Sequence, residues 1–154
     1  ELARQTVDLA DKLSLTVGQT ERLQFIAERT GSNITGLGGA INTINRALTE
    51  SGGRGRVAAD ALRALGVATV DAQGKQREAG NVLLDTIKRL AQINTESTRT
   101  ELAIRTLGSS SAENLKGLLK NFDEASAAAT RFGIGVDEAA TKRLAETNKK
   151  VTDL

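Results

Sequence analysis

Leu2, Thr6, Leu9 and Leu13 recur at spacings of four, three and four, which places them along one face of a first helix ending near Ser14. Thr16 and Gln19 then form a T-x-x-Q pattern, in which each side chain can satisfy the other residue's backbone amide at the start of a second helix. Leu23, Ile26, Ala27 and Thr30 share one side of that helix, and Gly31 is placed to end it in the left-handed conformation. Asn33 is a candidate cap for a third helix with an apolar seam of Ile34, Leu37, Ile41, Ile44 and Leu48. Gly36, Gly38 and Gly39 lie inside this helix, where each costs about 1 kcal/mol relative to alanine. Two readings of them stand side by side: a neighbouring helix approaching closely, or a loose helix start.

The glycine-rich run Ser51 to Gly55 reads as a loop, followed by a short helix with Val57, Ala58, Ala61, Leu62 and Leu65 inward and Gly66 as its stop. The residues after Gly66 do not read as helix. Val67 to Val70 are rich in β-formers, and Asp71 to Lys75 form a turn with Gly74 able to take positive φ, so a small β-hairpin or extended wing is expected near 67–77. Helices resume over Asn81 to Ile93, with Leu83, Ile87 and Leu90 on one face, and over Glu96 to Leu107, stopped by Gly108. Ser110 and Glu113 read as a capping box for a helix carrying Leu115, Leu118 and Leu119. Another helix runs from Asp123 to Phe132 and ends at Gly133, and the last starts near Val136.

In that last helix Ala140, Leu144, Thr147, Val151 and Leu154 alternate four and three apart, a heptad-like seam with Lys142, Arg143, Lys149 and Lys150 mostly off it. The seam suits a surface helix packing within the chain, or self-association if it continues as a coiled coil beyond Leu154. The expectation is therefore an all-α fold, a single helical domain over 1–154 with about eight short helices. It comprises N-terminal helices over 1–50, a core module with the hairpin over 56–134, and a C-terminal helix over 136–154.

Composition narrows what such a domain does. The chain has no histidine and no cysteine, which removes the usual general base, the commonest metal ligand and any thiolate nucleophile or disulfide. It has no Trp or Tyr and only three Phe (Phe25, Phe122 and Phe132), too few for base-stacking platforms. Formal net charge is +2 with both signs interspersed. The densest basic groups, Arg54, Arg56 and Arg63 and then Lys88 and Arg89, read as solvated helix faces rather than a phosphate-binding patch. No stretch reaches the ~20 apolar residues of a membrane span, and the start lacks a secretory h-region. With no Met at its start, the chain reads as a segment of something longer.

The catalytic options left are weak. Asp123 and Glu124, like Asp137 and Glu138, are adjacent in helices and diverge by about 100°, so neither pair offers two carboxylates to one substrate. Both suit the positive end of a helix dipole. Ser109, Ser110 and Ser111 have no histidine base and read as caps. The glycine run before Val57 follows no strand and lacks the G-K-[ST] of a phosphate loop, and the Asp71 turn lacks the alternating ligands of a calcium loop. The reading is non-enzymatic, with no catalytic residue, no cofactor, no metal, no small-molecule substrate, and no direct nucleic-acid or membrane binding.

The order of these pieces resembles phage tail tape measure proteins. In that family a helix ending in Leu-Gly and a hydrophobic residue leads to a "D..Gk" turn and then a "vLl.i" helix. Here those are Leu65, Gly66 and Val67; Asp71, Gly74 and Lys75; and Val82, Leu83, Leu84 and Ile87. The following block matches at Gly108, Leu115, Leu118 and Leu119, with Thr106 and Leu107 where the family more often has Leu-Phe. Leu23 to Ile34 is similar to an upstream helix and glycine turn, and Ala129 to Asn148 to a downstream helix pair, although Lys149 stands where an acidic residue often follows the Asn.

The resemblance implies a structural segment of a phage or prophage tail protein that templates tail tube assembly and sets tail length. Its implied partners are the tail tube, the tail assembly chaperone and baseplate or initiator proteins, with a homo-oligomer as a further expectation. It implies a location in the virion tail, and in the host bacterial cytoplasm during assembly. The competing readings are a helical adaptor or scaffold domain of unrelated bacterial origin, and a peptidoglycan-active tail module.

Overall fold

The computed structural model describes residues 2–34 and 37–135, and the described residues are arranged as helices joined by short turns. The first two helices are α1 (Leu2–Leu13) and α2 (Val17–Arg29). Their junction is set by the Thr16 box: Thr16 Oγ1 accepts from the Gln19 amide at 3.0 Å, and Gln19 Oε1 accepts from the Thr16 amide at 3.0 Å. The apolar seam of the third helix, α3 (Leu37–Thr49), is buried at Leu37, Ile41 and Ile44, with Ile34 buried just ahead of it and Leu48 half-buried at its end. The Asn33 amide, just ahead of Ile34, donates to the Asn114 carbonyl at 3.3 Å.

The run from Ser51 to Gly55 is not a free loop. α4 (Gly52–Leu65) already includes Gly52 to Gly55, and the Gly55 amide donates to the Ser51 carbonyl at 3.2 Å. Glycine is required here by proximity: a Cβ on Gly55 would lie 2.7 Å from the Arg46 carbonyl oxygen of α3. Glu50, at φ +50°, and Gly52, at φ +70°, reverse the chain so that α4 packs back on α3. The inward set of α4 is Ala58, Ala59, Ala61 and Leu62; Leu65 is half-buried, and Val57, expected inward, is 48% exposed. Gly66 closes the helix at φ +76°.

The expected β-hairpin does not form. Between Gly66 and Ala79 the described residues contain no strand, only a single antiparallel bridge between Val70 and Gln76. The turn itself is present, with Gly74 at φ +80° and the Asp71 carboxylate accepting from the amides of Gln73 and Lys75, both at 2.9 Å. Residues 70–76 are exposed, so no apolar face rewards extension of the pairing into strands. Arg77 folds the base of this wing down by donating to the Ala68 carbonyl and to Asp85.

α5 (Ala79–Ala91) and α6 (Glu96–Leu107) follow. The expected Ser110–Glu113 capping box is absent, because Gly108 serves both as the end of α6 and as the start of α7 (Ser109–Asn114), which places Ser110 inside the first turn. The single helix expected to carry Leu115, Leu118 and Leu119 is broken at Leu115, leaving α8 (Lys116–Lys120) before α9 (Phe122–Arg131). All three leucines are buried in the common core nonetheless.

α3 lies at the centre, packed by α1, α4, α5, α6 and α7, while α2 joins α1 to α8 and α9. One continuous hydrophobic core links Leu13, Leu23, Ile26, Ile44, Leu62, Leu83, Leu90, Leu107 and Leu118. The C-terminal seam of Ala140, Leu144, Thr147, Val151 and Leu154 lies outside the described residues, as does the Asp137–Glu138 pair.

Candidate interaction surface

The buried polar groups are accounted for locally. Thr20, Thr43, Thr86 and Thr106 are buried, and each hydroxyl donates to a carbonyl one turn back, at 2.9, 3.1, 2.7 and 2.8 Å. Among the described residues no buried side-chain nitrogen or oxygen lacks a hydrogen-bond partner. A helix carbonyl with two lone pairs absorbs such a hydroxyl without giving up its own helix bond, so these threonines are core residues. They are not groups waiting for a ligand.

The charged candidates do not converge. Arg63 pairs with Asp60 at 2.7 Å and with Glu50, whereas Arg54 lines a groove against α6, so the basic residues of α4 serve different surfaces. Lys88 and Arg89 lie in the last turn of α5, where cations complement the helix dipole. They border a shallow depression with Gly66, Val67 and the Arg77–Asp85 pair. Asp123 and Glu124 occupy the first turn of α9, as their helix-start reading requires. Glu124 accepts from Arg29 at 2.8 Å, and this hydrogen bond, with the adjacent positive charge, holds its carboxyl below the ordinary carboxylate range. Ser109 and Ser110 are exposed and Ser111 is buried. No group of three or more acidic, histidine or cysteine side chains suited to a metal ion occurs among the described residues. No helix among them is long and apolar enough to cross a membrane.

Two surface features were not legible from residue types. The first is a clasp between α2 and α9. Arg29 pairs with Glu124, Arg22 donates to the Ser126 carbonyl at 3.0 Å and to Thr130 Oγ1 at 2.8 Å, and Phe25 meets Phe132 edge to face at a centroid distance of 6.0 Å. Buried Ala125, Ala128 and Ala129 let α9 seat closely between these contacts.

The second is an open groove of about 540 Å³ between α3, α4, α6 and the start of α7. Val57 and Ile104 line it, 48% and 43% exposed, with Arg54 and Arg105 beside them and the small residues Gly39, Gly108 and Ser109 along its length. Val57 and Ile104 are two of the six large apolar side chains exposed among the described residues, and both line this groove. A signal for Ile104 did exist: it stands off the buried Ala103, Thr106 and Leu107 row of α6 by one position. Val57 carried no such mark, because its exposure follows from how α4 is rotated against α3.

No family model matches the chain, and neither a curated protein nor a solved structure is detectably similar to it.

Proposed function

We propose that this chain is a non-catalytic structural module of a phage tail tape measure protein, attached to the length-setting helical region rather than being the ruler itself. One observation carries the proposal: the glycines of the ordered resemblance lie at turns of the fold, and most of its apolar residues lie in the core. Gly66, Gly74 and Gly108 all take positive φ, at +76°, +80° and +93°, where other residues are strained. Val82, Leu83, Ile87, Leu115, Leu118 and Leu119 are all in the core. A motif made of turn glycines and core leucines describes a fold, not a reaction, which suits a protein that acts through shape and length.

The short helices argue for the module role. A ruler converts residue count to length at about 1.5 Å per residue along a continuous helix. Among the described residues the longest helix is α4, with 14 residues. The proposed partners are the tail tube, the assembly chaperone and the baseplate or initiator proteins, met in the bacterial cytoplasm during assembly.

The test is an in-frame deletion of this segment from its parent gene, with particles counted and tails measured by electron microscopy. The proposal expects tails that are missing or of altered length. Normal numbers of tails with unchanged length would overturn it.

A further inference from the structure

The groove at Val57 and Ile104 points to a second copy of this chain, and this does not depend on the tape measure reading. Ile104 lines the arginine-bearing groove on one side and a more open depression holding Glu96 and Glu101, with Lys116 at its edge, on the other. Every α6 residue in the groove lies at or beyond Ile104, and apart from Ile104 every α6 residue in the depression precedes it. The outer face of α6 is thus divided: carboxylates towards its N-terminal end, an exposed isoleucine, then Arg105 with Arg54 alongside from α4.

Present charges partly offset one another within the copy. Glu101 accepts from Arg105 at 2.7 Å with both side chains more than half exposed, and Lys116 stands 3.8 Å from Glu96. Arg54 forms no ion pair among the described residues. A face with acid at one end and base at the other complements itself when two copies run antiparallel. A two-fold axis then brings the acidic half of each onto the basic half of the other. The same operation stacks Ile104 and Val57 of the two copies as a shared apolar centre.

We propose that α6, with Val57 and Arg54 of α4, is a two-fold interface between copies of this chain, packed antiparallel about Ile104. Glu101 of each copy meets Arg105 of the other. Two half-exposed apolar side chains per copy make a small centre, so the association is weak and concentration-dependent. The charges set orientation more than affinity.

Sedimentation equilibrium of the full chain tests this. The wild type is expected to rise towards twice the monomer mass with concentration, and less so at high salt, where exposed charges are screened. Ile104→Glu, a surface change, is expected to hold the protein monomeric with an unaltered thermal melt. Glu101→Arg and Arg105→Glu are each expected to be monomeric alone, because like charges then face each other across the axis. Mixed in equal amounts they restore opposite charges at both ends and are expected to associate. A helix-stability role for the Glu101–Arg105 pair would not give that recovery on mixing. A wild type monomeric up to about millimolar concentration, an association that survives Ile104→Glu, or a folded mixture that stays monomeric would each overturn the interface.

Discussion

At the residue scale the glycines divide into those the fold needs and those it tolerates. A Cβ on Gly80 would press into the carbonyl oxygens of Leu13 and Ser14, and one on Gly117 would lie 2.5 Å from the Thr30 carbonyl. Neither backbone partner can swing aside as a side-chain tip would. Gly38 is different: its helical position is exposed, with nothing within 4 Å of a Cβ, so no close helix approach accounts for it. Gly80→Ala is therefore expected to cost about 1–3 kcal/mol through overpacking, and Gly38→Ala to gain up to about 1 kcal/mol from helix propensity. Urea denaturation midpoints of the two variants should move in opposite directions.

The Arg29–Glu124 pair gives a second prediction at this scale. The folded pKa of Glu124 lies below its ordinary 4.5, first through the hydrogen bond from Arg29. The native state thus binds the proton less readily than the unfolded chain, so the contribution is present above the unfolded pKa and lost as pH falls through the folded one. Glu124→Gln should differ from wild type near neutrality and converge with it in acid. A stability gap that persists undiminished at the lowest pH would assign the effect to packing instead. Both side chains are exposed, so the gap itself is small.

At the element scale, helix starts and stops follow local chemistry closely. Gly31, Gly66, Gly108 and Gly133 were expected as stops, and all take positive φ. Strand formation between Val67 and Gln76 failed because β-forming residues do not make a strand without a partner surface, and Val70 is half exposed. The wing is held by Asp71, whose one carboxylate oxygen caps two amides. Asp71→Ala is expected to remove amide-exchange protection at Lys75 while shifting global stability by less than about 0.5 kcal/mol. Exchange measured by NMR distinguishes the two, and a large global loss would show that the wing is part of the core. The helix break at Leu115 had no sequence mark, since Leu115, Leu118 and Leu119 fit one helical stripe. The break meets a close approach at Gly117 and the Leu118 amide, which donates to Ser32 Oγ at 2.7 Å.

At the scale of the whole molecule, side chains from α1 through α9 enter one hydrophobic core with no internal boundary. The described part is accordingly expected to unfold in a single cooperative transition, with calorimetric and van't Hoff enthalpies in agreement. Leu83, fully buried on α5, is a sensitive reporter. Leu83→Ala should lower stability by about 2–5 kcal/mol and keep one transition. Two resolved transitions in the variant would instead reveal separately stable parts.

Helical identity, the glycine stops, the Thr16 box and most core leucines were determined by the sequence, because periodicity, caps and positive φ are local properties that neighbouring residues decide. What surrounds a residue across the fold is not local. The close approach of Gly55, Gly80 and Gly117 to other backbones, the α2–α9 clasp and the outward turn of Val57 and Ile104 were decided only by tertiary packing. The groove belongs to that second class, since it exists only where α4 and α6 lie side by side and α7 closes one end. Its residues carry no signature of their own because each is ordinary until the helices meet.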